Sequence, residues 1–398
     1  MTMLLEIILW TCIFLVVYAY VGYGAILWLL VKIKRLLFGR PKLTQFPESE
    51  LPAVTFMVAA WNEERFMPQK IRNCLALDYP REKLRILFVT DGSTDRTNEI
   101  IQNFPLPENA RVDLHHTPLR DGKISAVNRA MKTVDDPIVI FTDANTDVNP
   151  AAVRNIVRHY TDPNVGAVAG EKRIAVGEAG DATGAGEGIY WKYESKLKEW
   201  DSELYSVVGA AGELFSVRTE LFADVDPNTI IEDFVMTVGI AADGYRVRYE
   251  PEATASEGQS TDIAEELKRK KRIAAGGLQA VARLWRVLIP FPRPLLSFQY
   301  VSHRVLRWTL APLALPIIFI LNILLALQGI ELYQWLLAAQ VLFYVAAGLG
   351  WFLERRKLKF KALFVPYYFC VMNYAVYHGF VRIVTGKQSV VWERAKRA

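Results

Sequence analysis

Residues 84–95 read LRILFVTDGSTD, an apolar, β-branched run that ends in Asp91, Gly92, Ser93, Thr94 and Asp95. The run has the length and composition of a buried strand, and TDRTNEIIQNF behind it has helical spacing of its apolar positions. The same order recurs on both sides. VTFMVAA (54–60) runs into Trp61, Asn62, Glu63 and Glu64 and then a helix-like stretch to Leu77; VDLHH (112–116) precedes DGKISAVNRAMKTV; PIVIFTD (137–143) leads through Ala144, Asn145 and Thr146 to Asp147, ahead of PAAVRNIVRHY; VGAVAG (165–170) follows. Strands alternating with helices predict an α/β fold with a mainly parallel sheet, covered on both faces, whose ligand sits at the carboxyl ends of the strands. Ser93 or Thr94 alone would be explained as a helix cap. Three polar clusters in register at those ends predict a binding site.

The 398-residue chain carries a net charge of +5, and that small surplus hides a separation. Residues 43–264 hold 22 Lys and Arg against 36 Asp and Glu, while 265–307 hold 10 against 2. Cys12, Cys74 and Cys370 stand singly, which excludes a disulfide framework or a Cys-based zinc site. Residues 7–31 contain no charge and are long enough to span a bilayer, with basic residues after them, so the sequence predicts an anchor with the following domain in the cytoplasm. Further apolar runs at 309–328, 332–353 and 362–381 predict a multi-pass protein of the inner, cytoplasmic membrane. The last run and the basic tail give opposite answers about which side the C-terminus occupies. Residues 265–307 mix basic and aromatic residues with Pro290, Pro292 and Pro294, the pattern of helices lying in the interface. They read either as a stop-transfer patch or as part of a cover over a site. The expected division is an anchor (1–42), an α/β domain (43–264), an amphipathic segment (265–307), C-terminal spans (308–384) and a basic tail (385–398).

Five motifs in order carry a family resemblance: Ala60-Trp61-Asn62-Glu63, Asp91 to Asp95, Gly122-Lys123 with Asn128, Asp143-Ala144-Asn145, and Ile231-Glu232-Asp233. Over roughly residues 50–280 the chain resembles family 2 glycosyltransferases of the GT-A fold, and its flanking helices resemble the branch with hyaluronan, poly-N-acetylglucosamine and cellulose synthases. The resemblance implies inverting transfer of a sugar from a nucleoside diphosphate, UDP by expectation, to a growing polysaccharide. Two other readings stay open: a single addition to a polyprenyl-linked acceptor, or a non-catalytic subunit of an export complex. The partners implied are the donor, a polysaccharide or lipid-linked acceptor, the bilayer and export subunits, with no nucleic acid.

That chemistry needs a base for the acceptor hydroxyl and positive charge for the leaving diphosphate. The resemblance places Asp233 as base with Glu232 beside it, and Arg272 against the diphosphate. It puts Glu63, Asp91, Lys123, Asp143, Arg269 and Gln279 on the donor, and reads Asp95 as a helix cap. Asp143 opens an Asp-x-Asp signature whose second position is here Asn145, so a divalent cation, Mg²⁺ or Mn²⁺, would be held by Asp143 and Asn145 with Asp147 as a substitute carboxylate. Gly212, in GAAGELFSVR, frames the acceptor. Glu171, Lys172 and Arg173 lie at a strand end, where they read either as donor-sugar contacts or as solvated surface. The helix-like stretch at 187–204 presents Tyr190, Trp191 and Trp200, either as a sugar platform or as core. Related membrane synthases carry Gln-x-x-Arg-Trp on an interfacial helix; here Arg269 and Ile273 replace the Gln and the Trp. Trp392 resembles their C-terminal Trp motif.

Overall fold

The computed structural model describes residues 2–40, 43–174, 182–258, 263–356 and 360–386. Eight strands form one sheet: β1 (Val54–Ala60), β2 (Leu84–Asp91), β3 (Arg111–Thr117), β4 (Ile138–Asp143), β5 (Thr146–Val148), β6 (Val165–Ile174), β7 (Leu214–Arg218) and β8 (Arg246–Glu257), in the order β3-β2-β1-β4-β7-β6-β8-β5. Strands β3, β2, β1 and β4 run parallel, as their alternation with helices predicts. Beyond β4 the pattern changes, because β7 is antiparallel to both β4 and β6, and β5 is antiparallel to β8. The sheet is therefore mixed, with its parallel half holding the first three motif loops.

Both faces of β1, β2 and β4 are covered, which explains their unbroken apolar runs, while β3 at the edge is largely open. Along β1 and β4, Val54, Phe56, Val58, Ile138 and Ile140 enter one core with Met67, Ile71 and Ile156. The alternate residues Met57, Val139 and Phe141 enter the other core with Ile124, Val127 and Phe234. This period of two is what a strand imposes on its side chains. Helices Met67–Leu75 and Ala152–Val157 contribute to the first layer, Lys123–Met131 and Glu232–Ala242 to the second.

The apolar runs become helices of two kinds. Thr2–Phe38 and Glu331–Arg355 are long and apolar enough to cross a membrane, and Pro294–Trp308 with Leu310–Ala326 pass the same test as a pair bent by 51°. Lys361–Val384, which covers the last expected span, does not pass by itself; it leans on Ile263–Arg283, where Gly379 brings the two backbones so close that a Cβ would meet Ala275 N at 2.7 Å. The N-terminal run divides its contacts. Leu9 packs with Ala314 and Ile318 among the apolar helices. Tyr23, Leu27 and Val31 instead dock on Leu197 and Leu204 of the helix Ala182–Leu204, beside the sheet. At the end of this docked part, Arg35 pairs with Glu203 at 2.6 Å and Lys34 Nζ donates to the Glu203 and Leu204 carbonyls.

Candidate active site

The loops after β1 and β2 hold one another. Asn62, in the left-handed region at φ 54°, accepts the Thr94 N–H on its side-chain oxygen (2.8 Å), and the Glu63 N–H donates to Thr97 Oγ1 (2.8 Å). Asp95 accepts the Thr97 N–H (3.0 Å), the capping role expected of it. Asp91 is buried: Arg129 Nη2 donates to its Oδ1 (2.9 Å), and the N–H of Gly122, a residue at φ 95° where L side chains are strained, donates to its Oδ2 (2.6 Å). Trp61, Asp91, Arg120 and Gly122 line a recess of about 20 Å³, with the Arg120 guanidinium 3.3 Å from the Trp61 ring centroid. A flat face beside a carboxylate suits a nucleobase.

This recess adjoins a cavity of about 760 Å³ that runs from the sheet to the apolar helices. Glu63, Lys123, Asp143, Asn145, Trp191, Gly212, Glu232, Asp233, Arg269 and Arg272 all line it, although they come from segments up to two hundred residues apart. Lys123 Nζ lies 2.9 Å from Asp143 Oδ1 and 3.1 Å from Glu232 Oε1. Burial opposes its charge, but Asp143 and Glu232 outweigh that and hold it above the usual lysine range. Burial also works against Glu232, yet Lys123 and Arg272 keep its carboxyl low. Asp233 goes the other way: burial first, and the Glu232 carboxylate second, push it up to about 7. A carboxyl of that strength can exchange a proton near neutral pH. Gly212 leaves room for it, since a Cβ there would stand 3.3 Å from Asp233 Oδ2.

The turn between β4 and β5 bears on the cation expected at Asp143 and Asn145. Asp143 and Asn145 face the cavity, and Asn145 Oδ1 is buried with no hydrogen-bond partner among the described residues. A buried acceptor left orphaned is costly unless a ligand completes it, so Asp143 and Asn145 fit two hard oxygen ligands of a divalent cation. No group of three His, Cys, Asp or Glu able to hold a metal occurs among the described residues. The remaining ligands would therefore come from a diphosphate and water. Asp147 stands elsewhere: it is exposed and accepts from Gln69 Nε2 (2.5 Å), because alternation along β5 buries Thr146 and Val148 and sends Asp147 to the opposite face.

Other expected positions separate in the same way. Gln279 braces the loop before Glu232, accepting the Ile230 N–H (3.0 Å) and donating to the Asn228 carbonyl (2.8 Å), and lines neither cavity. Arg269 is on the wall but pairs with Glu257 (3.2 Å) and Glu266 (3.3 Å). Arg272 reaches the Ile230 carbonyl (3.2 Å), and its buried Nε has no hydrogen-bond partner among the described residues. Ile273 is 40% exposed and faces the cavity where the resemblance places a Trp. Trp191 faces the cavity, whereas Trp200 packs against the cluster of Tyr23, Leu27, Val31, Leu197 and Leu204. Lys172 is on the wall, Arg173 is exposed, and Glu171 is taken by Ser195 and Tyr249. The Tyr190 side chain and Trp392 lie outside the described residues.

Sequence reasoning missed one further stretch of wall. Glu194, Lys198, His303, Arg304 and Arg307 are part of it, and a charged residue on an amphipathic helix gives no signal that an apolar helix will cover it.

Residues 55–225 match the family model described as glycosyl transferase family 2. Poly-beta-1,6-N-acetyl-D-glucosamine synthase of Staphylococcus aureus (strain COL) is 28% identical over 239 residues, which are 59% of this chain and 57% of that protein. The Staphylococcus epidermidis protein of the same description is 26% identical over 266 residues, 65% and 62% of the two chains. The chain thus spans less than two thirds of the length of the curated relatives it matches. Among solved structures, a mannosyltransferase from Pyrobaculum calidifontis, determined with GDP-Man and Mn²⁺, superposes with a TM-score of 0.73 at 22% identity, over 96% of this chain and 100% of that one. That likeness is one of fold. Sequence motifs and family match agree on residues 55–225 as the part of the chain similar to family 2 glycosyltransferases, and the sheet and its helices have the fold of a solved glycosyltransferase.

Proposed function

We propose that the chain is an inverting, membrane-bound glycosyltransferase that moves a sugar from a nucleoside diphosphate donor, UDP-linked by preference, onto a growing polysaccharide. The observation that carries this reading is the placement of Asp233, a half-buried carboxyl, with Lys123, Asp143 and Glu232 on one cavity wall, where burial and the Glu232 carboxylate push it up to about 7. In this reading Asp233 takes the proton of the acceptor hydroxyl, which attacks the anomeric carbon opposite the leaving diphosphate. One displacement of this kind inverts the configuration. Arg272, whose Nε has no hydrogen-bond partner among the described residues, meets the charge that develops on the diphosphate. Asp143 and Asn145 would hold a divalent cation, which supplies further charge neutralisation when bound. Lys123 keeps Asp143 and Glu232 in place and offsets their repulsion. Asp91, Trp61 and Arg120 serve the nucleoside end. Trp191 and Gly212 border the path of the acceptor.

The polysaccharide acceptor is the reading suggested by the synthase relatives. A second reading, single addition to a lipid-linked acceptor, is favoured by Ile273, which cannot stack on a sugar as an indole does, and by the apolar wall of Phe364, Val365, Phe369 and Met372. We place the domain on the cytoplasmic face, from the basic residues that follow residue 31. Purified protein in lipid nanodiscs, given radiolabelled UDP-N-acetylglucosamine, lipid extract and Mn²⁺, separates the two acceptors. Product that grows to high mass supports the synthase; a single-sugar, organic-soluble product ends that reading; and no incorporation from any nucleotide sugar ends both.

A further inference from the structure

Helix Met67–Leu75 follows directly on the loop after β1, and three of its side chains reach β5. Gln69 Nε2 donates to Asp147 (2.5 Å), and Lys70 Nζ donates to the Thr146 carbonyl (2.8 Å). Asn73 makes two bonds with Val148, donating to its carbonyl (2.7 Å) and accepting its N–H (2.9 Å). Every residue of this three-residue strand is therefore tied to the helix. Lys70 stands apart from the other two. It is 1% exposed, its helix neighbours Met67, Ile71 and Cys74 belong to the apolar core, and it lines neither cavity. A buried ammonium is costly unless its protons are taken up.

Here the count of donors and acceptors closes. Thr142 Oγ1 gives its proton to the Glu213 carbonyl (2.9 Å), and Thr146 Oγ1 gives its own to the Asp143 carbonyl (2.8 Å). Both hydroxyls are buried and keep only lone pairs for further bonds. Lys70 Nζ meets Thr142 Oγ1 at 3.3 Å and Thr146 Oγ1 at 3.2 Å, with the Thr146 carbonyl as its third acceptor. Three ammonium protons thus face three uncharged oxygens. Through the two hydroxyls the lysine reaches the Asp143 carbonyl, at the head of the turn that carries Asn145, and the Glu213 carbonyl, next to Gly212.

We propose that Lys70 is a positioning residue for the divalent cation: acting through Thr146, it fixes from behind the turn that presents Asp143 and Asn145 to a metal bound with the diphosphate. Metal ligands depend on the groups that orient them, and loss of such a group costs about 10–100-fold in metal affinity. Asn145 brings an uncharged oxygen where a carboxylate would add attraction, so this site relies the more on a fixed geometry. The charge of Lys70 by itself has the opposite sign of effect. A cation beneath the turn repels a dication, and its removal with the geometry intact would strengthen metal binding. The role rests on the reading of this cavity as the donor site of a transferase.

Calorimetry on the full chain in detergent tests it, with UDP titrated in EDTA and at a series of Mn²⁺ concentrations. Lys70→Met, similar in length but without donors, raises the Mn²⁺ concentration that half-saturates UDP binding about 10–100-fold and leaves binding in EDTA within about threefold of wild type. Thr146→Val, which cuts the bond to the Asp143 carbonyl and keeps the lysine, raises it about tenfold, whereas Thr146→Ser, which keeps the hydroxyl, stays within about twofold. The Thr146 pair also carries the test if Lys70→Met does not fold. An unchanged or lower Mn²⁺ requirement in a folded Lys70→Met or in Thr146→Val overturns the role. So does a Thr146→Ser variant as impaired as Thr146→Val, or a loss of binding as large in EDTA as with the metal. Wild-type UDP binding that Mn²⁺ does not strengthen overturns it too. The expected pattern of binding together with no transfer from any nucleotide sugar supports the positioning role and fails the transferase reading alone.

Discussion

Glu232→Gln tests the electrostatics of the proposed base without touching it. Asp233 is held up to about 7 by burial first and by the Glu232 carboxylate second. A nearby charge moves a carboxyl by about 1–3 units. Lys123, 3.1 Å from Glu232, cancels part of that charge, so the lower end of the range applies, about 1 unit or about 1.4 kcal/mol. The sign follows from the role. A base works only when deprotonated, so wild-type kcat/KM should rise with pH and level off above about 7, and it is lost as pH falls through that value. With Glu232 neutral, the anion of Asp233 is less disfavoured and the rise should centre near about 6. The assay is initial-rate transfer from radiolabelled donor at pH 5–9 with fixed metal and ionic strength. A wild-type profile flat over this range, or a Glu232→Gln midpoint that stays or moves up, would refute the reasoning.

Two further substitutions probe the site from other directions. Asn145→Asp adds a charge beside Asp143 where a neutral oxygen is now orphaned, and should lower the Mn²⁺ concentration that half-saturates UDP binding about tenfold in calorimetry; an unchanged or higher requirement removes Asn145 from the cation site. Gly209→Ala places a Cβ 2.0 Å from the Phe234 ring at φ 98°, combining backbone strain of about 1–3 kcal/mol with overpacking of about 1–3 kcal/mol, and in a chain of this length should lower the apparent Tm by about 2–7 °C; a shift within about 1 °C contradicts the packing described.

The parallel half of the sheet was legible in the sequence because β1, β2 and β4 are buried on both faces and read as apolar runs, with the exposed edge strand β3 marked only by its place between two helix-like stretches. Of the other half only β6 was, through VGAVAG (165–170). β5 has three residues and exists through its pairing with β8, while β8 contains Pro251 and alternates charged with apolar residues too irregularly to show a period. Within the site, Lys123, Asp143, Glu232 and Asp233 stand together because each lies at a strand end or helix start, positions that a sequence marks with turn residues. Asp147 looked equivalent to Asn145, and only the two-residue alternation of a strand unseen in the sequence sends it to Gln69. Lys198 read as one more charge on an amphipathic helix. Its burial comes from the tertiary fold around that helix, including Tyr249 of a strand some fifty residues later.

The most direct test of the account is Asp233→Asn, assayed for transfer and for donor binding on the same preparation. Loss of a positioned general base costs about 10²–10⁴-fold. The account predicts a fall in kcat of that size, with the affinity for UDP and Mn²⁺ within about twofold of wild type, because the nucleoside recess and the Asp143–Asn145 turn do not depend on the Asp233 carboxylate. Turnover retained within tenfold would contradict it.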